Sequence, residues 1–200
     1  MGEGWGGQAV SHCVSFSVRD SAALLDATSG PDVGDPYWAP PHSETFLDEV
    51  GRPPGMLRFA LNTSPWNGAP VDPECRKAAE DAAKPCETLG HRVTDARPAY
   101  DYLPFREAQR GVVAANTRAF LMACAAAIGR SLQPDDVEPT TWEVAELARQ
   151  YTAADYAGAM TRIHWGGRVV ARFFEHHDII LTPNHARASA AVGRGVTGEP

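Results

Sequence analysis

Between residues 57 and 95 the chain sets one helix between two short strand-like segments, and few folds accommodate that order. Leu57-Arg-Phe-Ala-Leu61 alternates bulky with short or charged residues, the period of a strand. Asp72-Pro73 is a helix start, because Asp accepts from the first free amides and Pro at the first helical position loses no bond. The helical pattern runs through Arg76, Ala79, Ala83 and Leu89 to Gly90, which suits the left-handed turn beyond a helix end. His91-Arg-Val-Thr-Asp95 follows as a second, more polar strand. Strand, helix and strand make a βαβ unit with parallel strands and a right-handed crossover. Ile179-Ile-Leu-Thr-Pro183 is a short apolar run stopped by proline, the pattern of a buried parallel strand. The expected fold class is therefore α/β: a few mainly parallel strands, at about 57–61, 91–95 and 178–182, with several covering helices.

The helices carry their own signals. Ser17-Val-Arg-Asp20 predicts a capped helix to about Thr28, stopped by Gly30-Pro31. Residues 30–56 read as a long proline- and glycine-rich excursion with a helical turn at 43–50. Phe105–Gly129 is a long Ala-rich helix, with Val113, Phe120, Cys124 and Ile128 at helical spacing. Thr140-Thr-Trp-Glu143 and Thr152-Ala-Ala-Asp155 both read as capping boxes. The second opens a helix whose seam, Tyr156, Met160, Ile163, Gly167, Val170 and Phe174, steps by fours and threes. Pro85 inside the 72–89 helix removes one hydrogen bond and predicts a kink. Residues 186–200, small and polar without a period, read as a disordered tail behind a domain at 1–185.

Bulky core material is scarce. Leu, Ile, Val and Phe total 37 of 200 residues, just under the ~20% at which a core becomes hard to build. Ala, at 32, is the commonest residue and buries little area. Either the helices pack closely or part of the fold is missing.

Charge and composition exclude several functions. The net charge of −7 disfavours a nucleic-acid partner, since phosphate binding wants a basic surface. The longest strictly apolar run, Phe120–Ile128, is nine residues against the ~20 of a membrane span, so no membrane partner is expected. The N-terminal residues lack the pattern of a signal peptide. Cys13, Cys75, Cys86 and Cys124 form no C-x-x-C, which reads as free thiols in the cytoplasm.

No catalytic constellation emerges from the residues. There is no G-x-S-x-G turn to present a serine, and Ser17 is better explained as a cap. The only lysines, Lys77 and Lys84, sit among charges on a helix, not in a desolvated position. His176-His177-Asp178, with His185, lacks metal-ligand spacing and reads as a helix end complemented by imidazoles. Neither metal nor cofactor is expected. The one candidate binding pair is Asn116 and Thr117, a carboxamide and a hydroxyl on an otherwise apolar helix.

Several stretches in order resemble the amidase signature family. They are Gly2-Glu-Gly-Trp-Gly-Gly7, Ser17 through Asp26, Gly34-Asp-Pro-Tyr37, Leu57-Arg-Phe-Ala-Leu61, Val71-Asp-Pro-Glu74, Leu89-Gly-His91, and Tyr156 through Phe174 followed by Asp178-Ile-Ile-Leu-Thr-Pro183. The resemblance is strongest to the bacterial branch that includes 6-aminohexanoate-cyclic-dimer hydrolases. It implies hydrolysis of a carboxamide C–N bond to acid and amine, by a Ser nucleophile, a second Ser and a Lys. It also implies that those three residues lie in a Gly/Ser-rich core ahead of the matching segment, so that no catalytic residue carries over. The chain is then expected to be part of an amidase, inactive alone. The alternatives are a binding or assembly partner of a complementary subunit and a non-functional truncated product. An amide substrate of the intact parent, and self-association or pairing through an open sheet edge, are the partners expected.

Overall fold

The computed structural model describes residues 4–35 and 37–187. It divides into two units, Met1–Pro54 and Gly55–Pro200. Most of the expected tail, 188–200, lies outside the described residues.

In the first unit, α1 (Val18–Thr28) begins at Ser17, whose hydroxyl accepts from the Asp20 amide as its capping pattern predicts. A single turn, α2 (Phe46–Glu49), forms within the proline-rich excursion. Asp26, on α1, accepts from the amides of Phe46 and Leu47 at 2.7 and 2.9 Å. One carboxylate thus satisfies two free donors at the start of α2, across the loop that joins the two helices.

The second unit is built on three parallel strands: β1 (Arg58–Leu61), β2 (Arg92–Asp95) and β3 (Ile179–Leu181), in the order β2-β1-β3. Phe59 stands opposite Val93 on one side and Ile179 on the other. The expected α/β class and strand positions hold. β1, the strand with bulky residues at both ends and in the middle, is central, with Ala60 fully buried. β2 carries exposed Arg92 and Asp95 and lies at one edge.

Between β1 and β2 runs α3 (Pro73–Thr88), with Asp72 accepting from the Glu74 amide and Gly90 at φ +89° beyond its end. Pro85 falls in its last turn, and the helix runs on past it to Thr88. Between β2 and β3 lies a helical layer: α4 (Tyr102–Ile128), α5 (Pro139–Leu147) and α6 (Ala153–Phe173). The capping box at Thr152 and Asp155 is present in full. The one expected at Thr140 is not: α5 starts two residues earlier, with Glu138 as cap and Pro139 at its first position. Proline, pre-set at helical φ, fixes the start there.

The layer's core is Ala108, Val112, Ala159 and Ile163, with Phe105, Tyr156 and Met160 packed against it. The expected α6 seam holds at Tyr156, Met160 and Ile163 and departs beyond them, and the α4 seam departs at Phe120 and Ile128. On α6 the buried glycine is Gly166, whereas Gly167 and Phe174 face outward. On α4 the buried face is Ala108, Gly111, Val112, Ala114 and Leu121, and the bulkier Phe120 and Ile128 are exposed. Close approach of helices selects small residues, so the largest side chains are not the most buried ones. α4 is, by length and composition, long and apolar enough to cross a membrane, although its strictly apolar run is short. Only 22% of its most apolar window is buried.

Candidate functional site

Where α4 and α6 cross, the small side chains that allow contact also open a groove. Two adjoining cavities, about 560 and 420 Å³, share Pro104, Gly158 and Arg162. Tyr151 and Tyr156 line the first, and Tyr100, Phe105 and Trp165 the second. Tyr156 is fixed from behind: Asn116 Nδ2 is 3.3 Å from its hydroxyl and donates to the Val112 carbonyl at 2.8 Å. Asn116 therefore sits one hydrogen bond behind the groove, and Thr117, its half-buried neighbour, does not line it. Burial raises the Tyr100 phenol above its ordinary pKa, so it remains neutral. Arg162 makes no ion pair or hydrogen bond among the described residues. The groove is lined by aromatic faces, the Arg162 guanidinium and Asp101, while Glu107 pairs with Arg106 and Asp155 is held in the Thr152 cap.

Residue-type patterns did not single out Arg162 or Trp165. The available signal was Gly158, a helix-interior glycine whose Cβ position meets nothing within 4 Å. Such a glycine costs helix stability without being needed for packing, and here it leaves a gap in the helix surface.

The sequence's nucleophile and metal candidates resolve into structural roles. Lys77 and Lys84 both donate to the Asp81 carboxylate on the outer face of α3, the latter at 2.8 Å. These two ammonium groups hold the Asp81 carboxyl down at about 2. Asp178 accepts from the Arg58 amide at 2.7 Å and from two guanidinium nitrogens at 3.0 and 2.7 Å. The Asp178 amide in turn donates to the Arg58 carbonyl at 2.8 Å. That ion pair starts the β1–β3 ladder and brings the Asp178 carboxyl down to about 2. His177 stacks on Phe173, ring centroids 4.2 Å apart. Among the described residues no three His, Cys, Asp or Glu side chains converge as metal ligands.

In the first unit, His12 Nε2 lies 3.0 Å from Ser21 Oγ and 3.5 Å from Cys13 Sγ. It also lies 3.2 Å from the Ser21 carbonyl, which only a protonated nitrogen satisfies. The contact is that of an N–H donor, not of a base.

At the carboxyl ends of the strands, Asn62 is the buried polar residue. Its side-chain oxygen accepts from the Ser64 amide at 3.1 Å, and its own amide donates to the Leu181 carbonyl at 2.9 Å. The first contact shapes the turn after β1, and the second extends the β1–β3 pairing by one residue.

A family profile described as Amidase matches residues 8–196. The chain is 34% identical over 193 residues to 6-aminohexanoate-cyclic-dimer hydrolase of Pseudomonas sp. (strain NK87), covering 88% of this chain and 36% of that protein. It is 34% identical over 180 residues to the protein of the same name from Paenarthrobacter ureafaciens, with the same coverage. The structure of 6-aminohexanoate cyclic dimer hydrolase complexed with substrate superposes with a TM-score of 0.72, over 80% of this chain and 34% of that one. The chain thus spans about a third of the length of the curated relatives it matches.

Proposed function

This chain belongs to the amidase family, and we propose that it forms part of an enzyme hydrolysing a carboxamide C–N bond to acid and amine. The family resemblance supplies the chemistry: a Ser attacks the carbonyl, and its proton passes through a second Ser to a Lys. The observation that carries the reading is the place of the lysines. The chain has two, and both pair with one aspartate on an exposed helix face. A proton-accepting lysine needs a desolvated amine, and both of these are exposed and paired with a carboxylate. On this reading the matched segment carries none of the Ser/Ser/Lys group, which belongs to the part of the family fold that the segment does not span, and the segment by itself is expected to be inactive.

Its contribution is one wall of the sheet and the helical layer, with Asn116 and Thr117 on the substrate side. A cyclic aliphatic amide is the substrate of choice, by similarity to the 6-aminohexanoate-cyclic-dimer hydrolases above, with short aliphatic amides beside it in the assay. The open edge of β3, a continuous apolar run, suits pairing with a further strand. Four unpaired cysteines favour a reducing, cytoplasmic setting.

The test is an assay of the purified chain on such amides, with and without the part of the Pseudomonas relative that it does not match. Turnover is expected only from the mixture. Hydrolysis by the chain alone that survives repurification and is lost on replacing one of its own serines overturns the reading.

A further inference from the structure

The loop between β1 and α3 carries an Asn-Gly pair, Asn67 and Gly68, and both residues are exposed. The Asn67 side-chain oxygen accepts from the Ala69 amide at 3.0 Å. That bond folds the carboxamide back along the backbone that follows it and polarises its carbonyl. Gly68 has no side chain to shield its nitrogen, and the space where a Cβ would stand is open, with nothing within 4 Å. The other asparagines differ. Asn62, Asn116 and Asn184 are followed by Thr63, Thr117 and His185, whose side chains crowd the backbone nitrogen next to the carboxamide. Asn62 is also buried, and Asn116 lies in α4 with its carboxamide tied to the Val112 carbonyl.

We propose that Asn67 is a site of deamidation, and that the turn 65–68 sets its rate. The Gly68 nitrogen, once its proton passes to hydroxide, attacks Asn67 Cγ. The new N–C bond closes a succinimide ring, and the carboxamide nitrogen leaves as ammonia. Water then opens the ring on either side. Cleavage at Cγ leaves an aspartate at position 67. Cleavage at the α-carbonyl leaves an isoaspartate, whose backbone runs through the side-chain carbon and is longer by a methylene. The turn governs the first step. The Gly68 amide donates to the Pro65 carbonyl at 3.1 Å, and that proton must come free before the nitrogen can attack. Trp66 pins the turn: its Nε1 donates to the Pro98 carbonyl at 3.0 Å, and its ring lies on Tyr100 with centroids 5.4 Å apart. An isoaspartate lengthens the chain between Trp66 and Asp72, the cap of α3, so the modification loosens the loop at the carboxyl end of β1.

The test is incubation of the whole chain at mildly alkaline pH, followed by tryptic digestion, mass spectrometry of the peptide 59–76 and labelling by an isoaspartyl methyltransferase. Asn67 is expected to gain the mass of an amide-to-acid exchange and to take the methyl label, at least about tenfold faster than Asn62, Asn116 or Asn184. Asn67→Gln, whose longer side chain closes a ring far less readily, is expected to abolish the label in that peptide. Trp66→Phe keeps an aromatic ring but loses the bond to Pro98, and is expected to raise the rate at Asn67 about threefold or more, because the turn opens more often. An Asn67 that stays intact in the native chain yet deamidates in urea overturns the proposal, since the fold then protects the pair. Deamidation spread evenly over the four asparagines overturns it as well. An unchanged rate in Trp66→Phe overturns the control of the reaction by the turn.

Discussion

Gly166 lies against the ring of Phe105: a Cβ built on this glycine would stand 3.1 Å from Phe105 Cδ2. Its neighbour Gly167 meets nothing within 4 Å. Two adjacent glycines of one helix therefore have opposite reasons to be there. Gly166 sets how closely α6 approaches the start of α4, and Gly167 only costs helix propensity.

Gly167→Ala is accordingly expected to stabilise the protein by about 0.5–1 kcal/mol, since alanine loses less backbone entropy in a helix interior. Gly166→Ala gains the same propensity but forces the Phe105 ring aside, an overpacking cost of about 1–3 kcal/mol. It is expected to be less stable than Gly167→Ala by at least ~1 kcal/mol. Denaturant melts of the two variants decide this, and equal midpoints would remove the Phe105 contact.

The parts of the fold written in local chemistry were legible. Asp72-Pro73, Gly90, Ser17 and the Thr152–Asp155 box each declare a helix end without reference to the rest of the molecule. The buried face of α4, and that of α6 beyond Ile163, were not. A pattern of large residues placed Gly167 and Phe120 inward, whereas the packed faces use Gly166, Gly111 and alanines. Which of two adjacent glycines is buried depends on Phe105, sixty residues away, and no helical period contains that. The groove was hidden for the same reason: it is made by absent side chains. Asn116 was visible as a polar residue on an apolar helix, but its link to Tyr156 needs the crossing of α4 and α6.

Asn116→Ala removes a neutral hydrogen bond to Tyr156 and one to its own helix, and is expected to cost about 1 kcal/mol of stability. As part of the proposed substrate wall, it is also expected to change kcat/KM of the completed amidase about tenfold for a short amide, ~1.4 kcal/mol. A stability loss with unchanged kinetics would leave Asn116 a brace for Tyr156 and take it off the substrate side.

The Arg58–Asp178 pair makes an acid-sensitive start to the sheet. Asp178 titrates at about 2 in the fold, against an ordinary value near 3.8, because it accepts from the Arg58 guanidinium and amide. Between those values the unfolded chain binds more protons than the folded one, so stability falls as pH falls. The pair's contribution is whole above about pH 4 and is lost by about pH 2. Asp178→Asn is expected to melt lower than wild type at pH 6, and the gap is expected to close as pH is lowered to 2. A gap that is constant across this range would show that the charge of Asp178 is not what holds β3 to β1.

The isolated chain is expected to keep its helices and melt without a sharp transition. Its helix starts are local: the capped ends at Ser17, Asp72 and Thr152 form whether or not the sheet is complete. Its tertiary core is thin, because most of the buried apolar residues are alanines, each burying far less than the ~1.5–3 kcal/mol of a large aliphatic side chain. β3 adds a second weakness. Ile179, Ile180 and Leu181 form a continuous apolar run of the kind found in strands covered on both faces and flanked on both sides, yet β3 pairs only with β1 among the described residues. An edge of that composition recruits further strands. Circular dichroism is expected to show high helix content with a broad thermal transition, and sedimentation to show species that grow with concentration. Adding the part of the Pseudomonas relative that the chain does not match is expected to sharpen the melt and raise its midpoint, as any ligand of the native state does. A sharp two-state melt from a clean monomer at high concentration would show that the chain closes its own core, and the partial-fold reading would fall with it.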